Sequence, residues 1–246
     1  MGKMHGRYTR LYINGYDISS DSSSLEVSQP GDTVDVSGFG QDRKQYAVGL
    51  LDQTFAYNGF FNDGATGAHT ALKDLIGSAV QFAITYGTAI GAWGYAGSAV
   101  MESQYNVSSD ISRAVTIVSN LVNNSAANPV RSIQILQEKG TPWSTSGSAA
   151  SSVDGGAASA AGGRVYLQVF SIVGTSAWTF YLINGASSTG GTTCGTFEVL
   201  TGSAAAPIAV SIPTPYDAVG QYTRGSWALS AGGAGTIDFW MGFARL

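Results

Sequence analysis

Residues 32–63 read DTVDVSGFGQDRKQYAVGLLDQTFAYNGFFND, and the architecture of the chain is organised around this stretch. Val34 and Val36 alternate with polar neighbours, which predicts a short strand. SGFGQDRK supplies two glycines and then both signs of charge, the composition of a loop. Gln45 to Leu50 forms a second strand, and Leu51-Asp52 a tight turn. Beyond it Phe55, Tyr57 and Gly59 share one face of a third strand, with Thr54, Ala56, Asn58 and Phe60 on the other.

Working outward, the same signs recur on both sides. In RYTRLYINGYDI (7–18), Leu11 and Ile13 alternate with polar residues, and Asn14-Gly15 is a strong hairpin signal. Leu25 and Val27 open a strand that stops at Pro30-Gly31. After the central stretch, Thr70 reads as an N-cap. Leu72, Leu75, Ile76 and Ala79 then fall at i, i+3, i+4 and i+7, which predicts one short helix over about 70–78. Strands follow at Val80–Tyr86, Ala99–Val107 and Ala114–Val122, the last with apolar residues on both sides, as in a strand buried on two faces. The uncharged run between Asp74 and Glu102 has the length of a membrane span, roughly 20 residues. Its glycines, polar interruptions and alternation read as strands instead, so no membrane insertion is expected.

The second half changes texture. NNSAANPVRS (123–132) is a breaker, and a short strand occupies Ile133–Gln137. KGTPWSTSGSAASSVDGGAASAAGGR (139–164) has too few large side chains for a core and reads as a loop, mobile or ordered only against a partner. Trp143 within it calls for an apolar contact. From Val165 six strands return at short spacing, which indicates a jelly-roll-like sandwich. The expected organisation is therefore all-β with one short helix. A first β-sandwich spans 1–130, a connecting loop 131–164 and a second β-sandwich 165–246.

Only 11% of residues are charged, and the net charge is −4. Residues 1–125 hold seven Lys/Arg against eleven Asp/Glu, whereas 126–246 hold five of each. Tight nucleic-acid binding needs a basic patch and is not expected. Weak charge suits a subunit whose faces are covered by copies of itself, because interface cores are depleted in charge. The lone Cys194 makes no internal disulfide and reads as a small buried side chain. MGKMHGRYTR lacks the apolar core of a signal peptide.

No chemistry declares itself. His5 and His69 are far apart, and no nucleophile elbow, phosphate loop, cofactor fingerprint or metal spacing occurs. The five acids of the second half, Glu138, Asp154, Glu198, Asp217 and Asp238, are scattered. No enzyme, cofactor or metal is expected. Trp178, Trp227 and Trp240 leave a carbohydrate-binding alternative open, although their place in alternating strands favours core packing.

LYINGYDIS (11–19), FGQDRKQYAVGLLDQTFAYNGFFND (39–63), ALKDLIGS (71–78) and GYAGSAVMESQYNVSSDISRAVTIVSNL (94–121) occur in that order. In order and spacing they resemble the major tail tube proteins of long, non-contractile-tailed (siphovirus-like) bacteriophages. VDGGAASAAGGRVYLQVFSIVGTSAW (153–178) and the ending FWMGFARL resemble the second part of the same proteins. The resemblance implies a β-sandwich with a flanking helix, joined side by side into rings that stack as a tube for genome delivery. Rings of the family are hexameric, or trimeric where a chain carries two tube-like domains. The second half lacks a counterpart of FGQDRKQY, which favours an outward-facing decoration there. Carried over, Phe39, Gln41, Asp42, Arg43 and Lys44 would contact the neighbouring subunit or ring. Asp32, Asp35 and Glu102 would present carboxylates to a lumen that DNA passes without specific binding. The implied partners are further copies, tape-measure proteins and tail-terminator or tail-tip proteins, and the implied place is the virion tail. A phage decoration or receptor-binding β-sandwich is the alternative.

Overall fold

The computed structural model describes residues 6–39, 42–124, 129–140, 142–189, 191–201, 208–213, 218–230 and 233–246. Its architecture is all-β with one short α-helix. In chain order the first strands are Thr9–Ile13 (β1), Tyr16–Asp17 (β2), Ser22–Ser28 (β3), Gly31–Asp35 (β4), Tyr46–Leu51 (β5) and Thr54–Phe60 (β6). Helix Ala68–Leu72 (α1) precedes Ala79–Tyr86 (β7), Trp93–Ser108 (β8), Thr116–Asn123 (β9) and Arg131–Gln137 (β10). Two short strands, Gly147–Ser148 (β11) and Val153–Asp154 (β12), lie in the low-complexity run. Gly163–Gly174 (β13), Ala177–Gly185 (β14), Thr192–Thr201 (β15), Ile208–Pro213 (β16), Tyr222–Leu229 (β17) and Gly235–Arg245 (β18) follow.

Asn14 (φ 48°) and Gly15 (φ 80°) make the β1–β2 turn, both left-handed as a two-residue hairpin turn requires. The principal sheet runs β16-β13-β18-β10-β8-β7-β1-β2, and β9, β6 and β3 branch from β8. Strands from both halves of the chain thus share one sheet. β8 is 16 residues long and serves two layers, pairing with β10 and β7 early and with β9 later. A second sheet holds β11, β12, β17, β14 and β15.

The principal sheet curls until β13 meets the β1–β2 turn and β7. The buried Gln168 side chain accepts the Gly15 N–H, and Gln81 donates to the Leu167 carbonyl at 2.9 Å. Inside the curl, Tyr12, Ala83, Ala96, Ile133, Ile135, Tyr166, Trp240 and Ala244 form one buried cluster. On the outer side of β1, β7 and β8, Leu11, Phe82 and Ile84 pack against Phe55 and Tyr57 of β6, Leu121 of β9 and Leu72 of α1. On the outer side of β13 and β18, Val165, Leu167 and Phe239 pack against Trp178 and Phe180 of β14 and Trp227 of β17. β13 and β18 are consequently covered on both faces, which is why their sequences are apolar at successive positions.

Four expectations need correction. The helix occupies Ala68–Leu72, not 70–78, and Gly67 rather than Thr70 is its N-cap. Leu75–Ser78 leaves the helix because Ile76 bridges to Glu102 and the Gly77 N–H bonds the Glu102 carbonyl at 3.2 Å. β8 begins at Trp93, earlier than the expected Ala99. β9 begins at Thr116 and buries one face only, through Ile117, Ser119 and Leu121, with Val118 and Val122 half-buried. The run 139–164 is ordered against its own chain: β11 and β12 pair with β17, and Ser159 bridges to Val219. Trp143 exchanges backbone bonds with Ile237 and stacks 4.6 Å from Trp227.

Candidate functional site

β4 and β5 prolong the β3–β6 hairpin beyond the body. Ser28 still pairs with Thr54, Pro30 interrupts the ladder, and the Asp52 N–H bonds the Pro30 carbonyl at 3.0 Å to clamp the base. From Gly31 to Asp35 the strand pairs with Leu51 to Tyr46 and, among the described residues, with no other strand, so neither edge of the ribbon is joined to a further described strand. Every described side chain from Gly31 to Ala47 is exposed. Strand alternation gives the ribbon two unlike faces. Val34, opposite Ala47, shares one face with Val36 and Asp32; Thr33 and Asp35, opposite Val48 and Tyr46, share the other. Val34 and Val36 are 55% and 51% exposed, and Phe39 in the loop is fully exposed.

The loop closes on itself through polar bonds. Asp35 accepts the Ser37 N–H at 2.9 Å, and the Ser37 hydroxyl accepts the Gln45 N–H at 2.9 Å. The Ser37 hydroxyl first and the Ser37 N–H second hold the Asp35 carboxyl below its ordinary range, with Lys44 3.7 Å away as a further cause. Of the expected contact residues, Phe39, Asp42, Arg43 and Lys44 stand in this exposed tip, and Gln41 lies outside the described residues. Asp32 and Asp35 are on the ribbon but on opposite faces.

Glu102 is elsewhere and is completely buried. Its Oε1 accepts the Ser119 hydroxyl at 2.5 Å, while Oε2 has no hydrogen-bond partner. Burial pushes its carboxyl up to about 7, against the smaller opposing effect of the Ser119 bond. A group placed this way is about half protonated at pH 7 and, being buried, does not reach the surface. The structure therefore does not bring Asp32, Asp35 and Glu102 together.

At the opposite end of β6, the β8–β9 hairpin stays paired with β6 as far as Phe60–Thr116, and only its turn reaches further; the tip of this arm carries exposed Val107, Ile111 and Val115, with Phe60 beside it. The ribbon departs next to Thr54 and the arm next to Phe60, roughly 20 Å apart along a seven-residue strand. Sequence periodicity missed the arm tip because DISRA (110–114) is too short and mixed to show a pattern.

Other candidates are occupied by structure. His69 Nδ1 lies 2.7 Å from the Tyr105 hydroxyl, and its ring packs 4.6 Å from Phe61; His5 lies outside the described residues. Cys194 is buried, with the Asn184 amide 3.2 Å from its sulfur, and burial raises its thiol. Trp178, Trp227 and Trp240 are all buried and offer no sugar-stacking surface. Among the described residues no three His, Cys, Asp or Glu side chains gather as a metal site. No described helix is long and apolar enough to cross a membrane.

No family model matches the chain, and no curated protein matches it. Among solved structures, it is similar to a chain in the virion of a native gene transfer agent particle at 14% identity, over 50% of this chain and 96% of that one, with a TM-score of 0.42. A chain of the sheath–tube complex of an extracellular contractile injection system in its extended state matches at 14% identity, over 53% and 90%, with a TM-score of 0.41. The SPP1 Dit protein, described as a paradigm of hub adsorption apparatus in phages infecting Gram-positive bacteria, covers 97% of this chain and 99% of its own at 10% identity, with a TM-score of 0.28. These matches are to parts of phage-like tails and injection machines, but at such scores they fix neither the family nor the role of this chain.

Proposed function

We propose that this chain is a non-enzymatic structural subunit of a siphovirus-like bacteriophage tail tube. It polymerises into rings that stack around a channel for genome delivery. The observation that carries the reading is the ribbon Gly31–Leu51, a two-stranded sheet that pairs with no other described strand and whose described side chains from Gly31 to Ala47 are exposed. An isolated hairpin is at best marginally stable in water. Burying the exposed half of Val34 and of Val36 against a partner would gain about 1 kcal/mol each. The exposed apolar arm tip at the other end of β6 supports the same reading. Two unlike patches at opposite ends of a subunit suit head-to-tail contact, which closes into rings or extends into filaments. The resemblance of residues 11–121 to tail tube proteins supplies the kind of filament.

In this reading Phe39, Gln41, Asp42, Arg43 and Lys44 form the joint to the next subunit or ring. The segment 1–130 is the tube-type part, and 165–246 an outward-facing part. The Asp32 face and the Asp35 face of the ribbon cannot both line a lumen, so at most one of these carboxylates repels passing DNA. Six-fold and three-fold rings are both compatible with one such ribbon per chain.

Electron microscopy of the purified protein tests the reading, with stacked rings or tubes expected. Deleting Gly38–Lys44 is expected to abolish tube growth while circular dichroism and melting stay as in the parent. Tubes that grow unchanged from the deletion variant would sink this account of the loop.

A further inference from the structure

One mouth of the curled sheet holds charge without a counter-charge. Arg131 opens β10 next to β8, opposite Ala96; Arg164 stands on β13, opposite Ala244 of β18. β18 lies between β13 and β10, and the two arginines follow the inward parity of Tyr166 and Ile133 along their strands. They are therefore aimed at the same end of the interior. Both are half-buried, and the Arg164 guanidinium reaches Ser98 of β8 at 3.2 Å. Among the described residues no carboxylate forms an ion pair with either.

Two polar atoms at this mouth are buried and without a hydrogen-bond partner, Nε of Arg131 and Nε of Arg164, and the hydroxyl of Tyr166, a residue with no solvent exposure, has only the Arg164 guanidinium within hydrogen-bonding reach. Buried donors are nearly always satisfied, so each such orphan calls for an explanation, a bound ion being one. The Tyr166 hydroxyl lies within the electrostatic reach of both guanidiniums, which favour its ionised form against the larger effect of burial. Two half-buried cations that both act on one tyrosine hydroxyl repel each other unless an anion joins them. A guanidinium fork matches the oxygens of a carboxylate or a phosphate, and a tyrosine and a serine hydroxyl extend the donor set.

We propose that Arg131, Arg164, Tyr166 and Ser98 form a binding site for a single oxyanion group, a carboxylate or a phosphate, at this mouth of the curled sheet. The site is independent of the tail-tube reading, because all four residues belong to one chain. Two sources share the required chemistry: a free oxyanion, or an acidic side chain of a second copy. The chain's excess of acids in residues 1–125 makes the second source available.

Inorganic phosphate is the probe, titrated against chloride at constant ionic strength. One phosphate per chain by calorimetry is expected, with the melting temperature rising by roughly 5 °C once phosphate exceeds its dissociation constant about a hundredfold. Arg164→Gln and Arg131→Gln should each weaken binding about tenfold or more, and Arg164→Lys should restore part of it. Tyr166→Phe keeps the packed ring and guards against a folding defect in the arginine variants; it should weaken phosphate binding with little change of melting temperature in chloride. Sedimentation distinguishes the sources. Phosphate that dissociates assemblies points to a second copy's carboxylate, and phosphate that stabilises the chain without changing its assembly points to a free ion. Absence of a saturable phosphate effect, or equal effects in parent and Arg164→Gln, would overturn the site.

Discussion

The β4–β5 ribbon and the β13–β18 pair are both antiparallel ladders, yet they stand at opposite extremes of burial. β18 is covered on both faces, by Tyr12 and Ile133 on one side and by Trp178 and Trp227 on the other. The described side chains of the ribbon from Gly31 to Ala47 are exposed. Burial makes the first ladder part of the folding core. Among the described residues the second is held by backbone pairing, its base clamp and polar loop bonds. Under the proposed function the contrast assigns stability to one place and assembly to another, and substitutions test whether the separation holds.

The largest effect is expected at the buried extreme. Trp240→Ala empties the centre of the curl and should cost about 3–5 kcal/mol of stability, measured by urea unfolding. A loss below about 1 kcal/mol would mean that the interior cluster is not a core. Next comes Glu102, buried but polar. Its folded-state carboxyl is raised to about 7 from an ordinary 4.5. The folded chain thus holds a proton that the unfolded chain releases, and stability falls as pH rises from about 4.5 to 7. Glu102→Gln should flatten this slope and stabilise the chain by about 1–3 kcal/mol at pH 8 relative to pH 4. An unchanged slope would show that other groups carry it.

At the exposed extreme the expectation reverses. Val34→Asp with Val36→Asp should change unfolding stability by less than about 0.5 kcal/mol, as at an ordinary surface site, and still eliminate polymers in micrographs. A destabilisation of several kcal/mol would place the ribbon in the folding core after all. Smallest of all, Lys44→Ala removes an exposed ion pair with Asp35. It should leave the unfolding midpoint within error, because water and salt screen an exposed pair of this kind.

The central stretch was legible in the sequence because Pro30-Gly31 and Asp52 punctuate it and Phe55, Tyr57 and Gly59 alternate cleanly. All six strands after Val165 were legible for the same reason. The helix was misplaced because Leu75 and Ile76 satisfy a helical period, whereas a backbone bridge to Glu102 takes that segment away from the helix. The order of 139–164 was hidden because its partners, Ile237, Val219 and Thr223, lie sixty or more residues away. Burial of Glu102 was half-visible, since it shares strand parity with Val100. Arg131 and Arg164 gave no signal, being 33 residues apart and joined only through β18.

β18 follows every other described strand in the chain but sits in the interior of the sheet order, between β13 and β10. During synthesis the ribbon and the β3–β6 hairpin emerge early, at about 5–20 residues per second. The centre of the sheet stays open until residues 235–245 arrive. A nascent chain therefore displays the exposed ribbon some seconds before β18 completes the centre of the sheet.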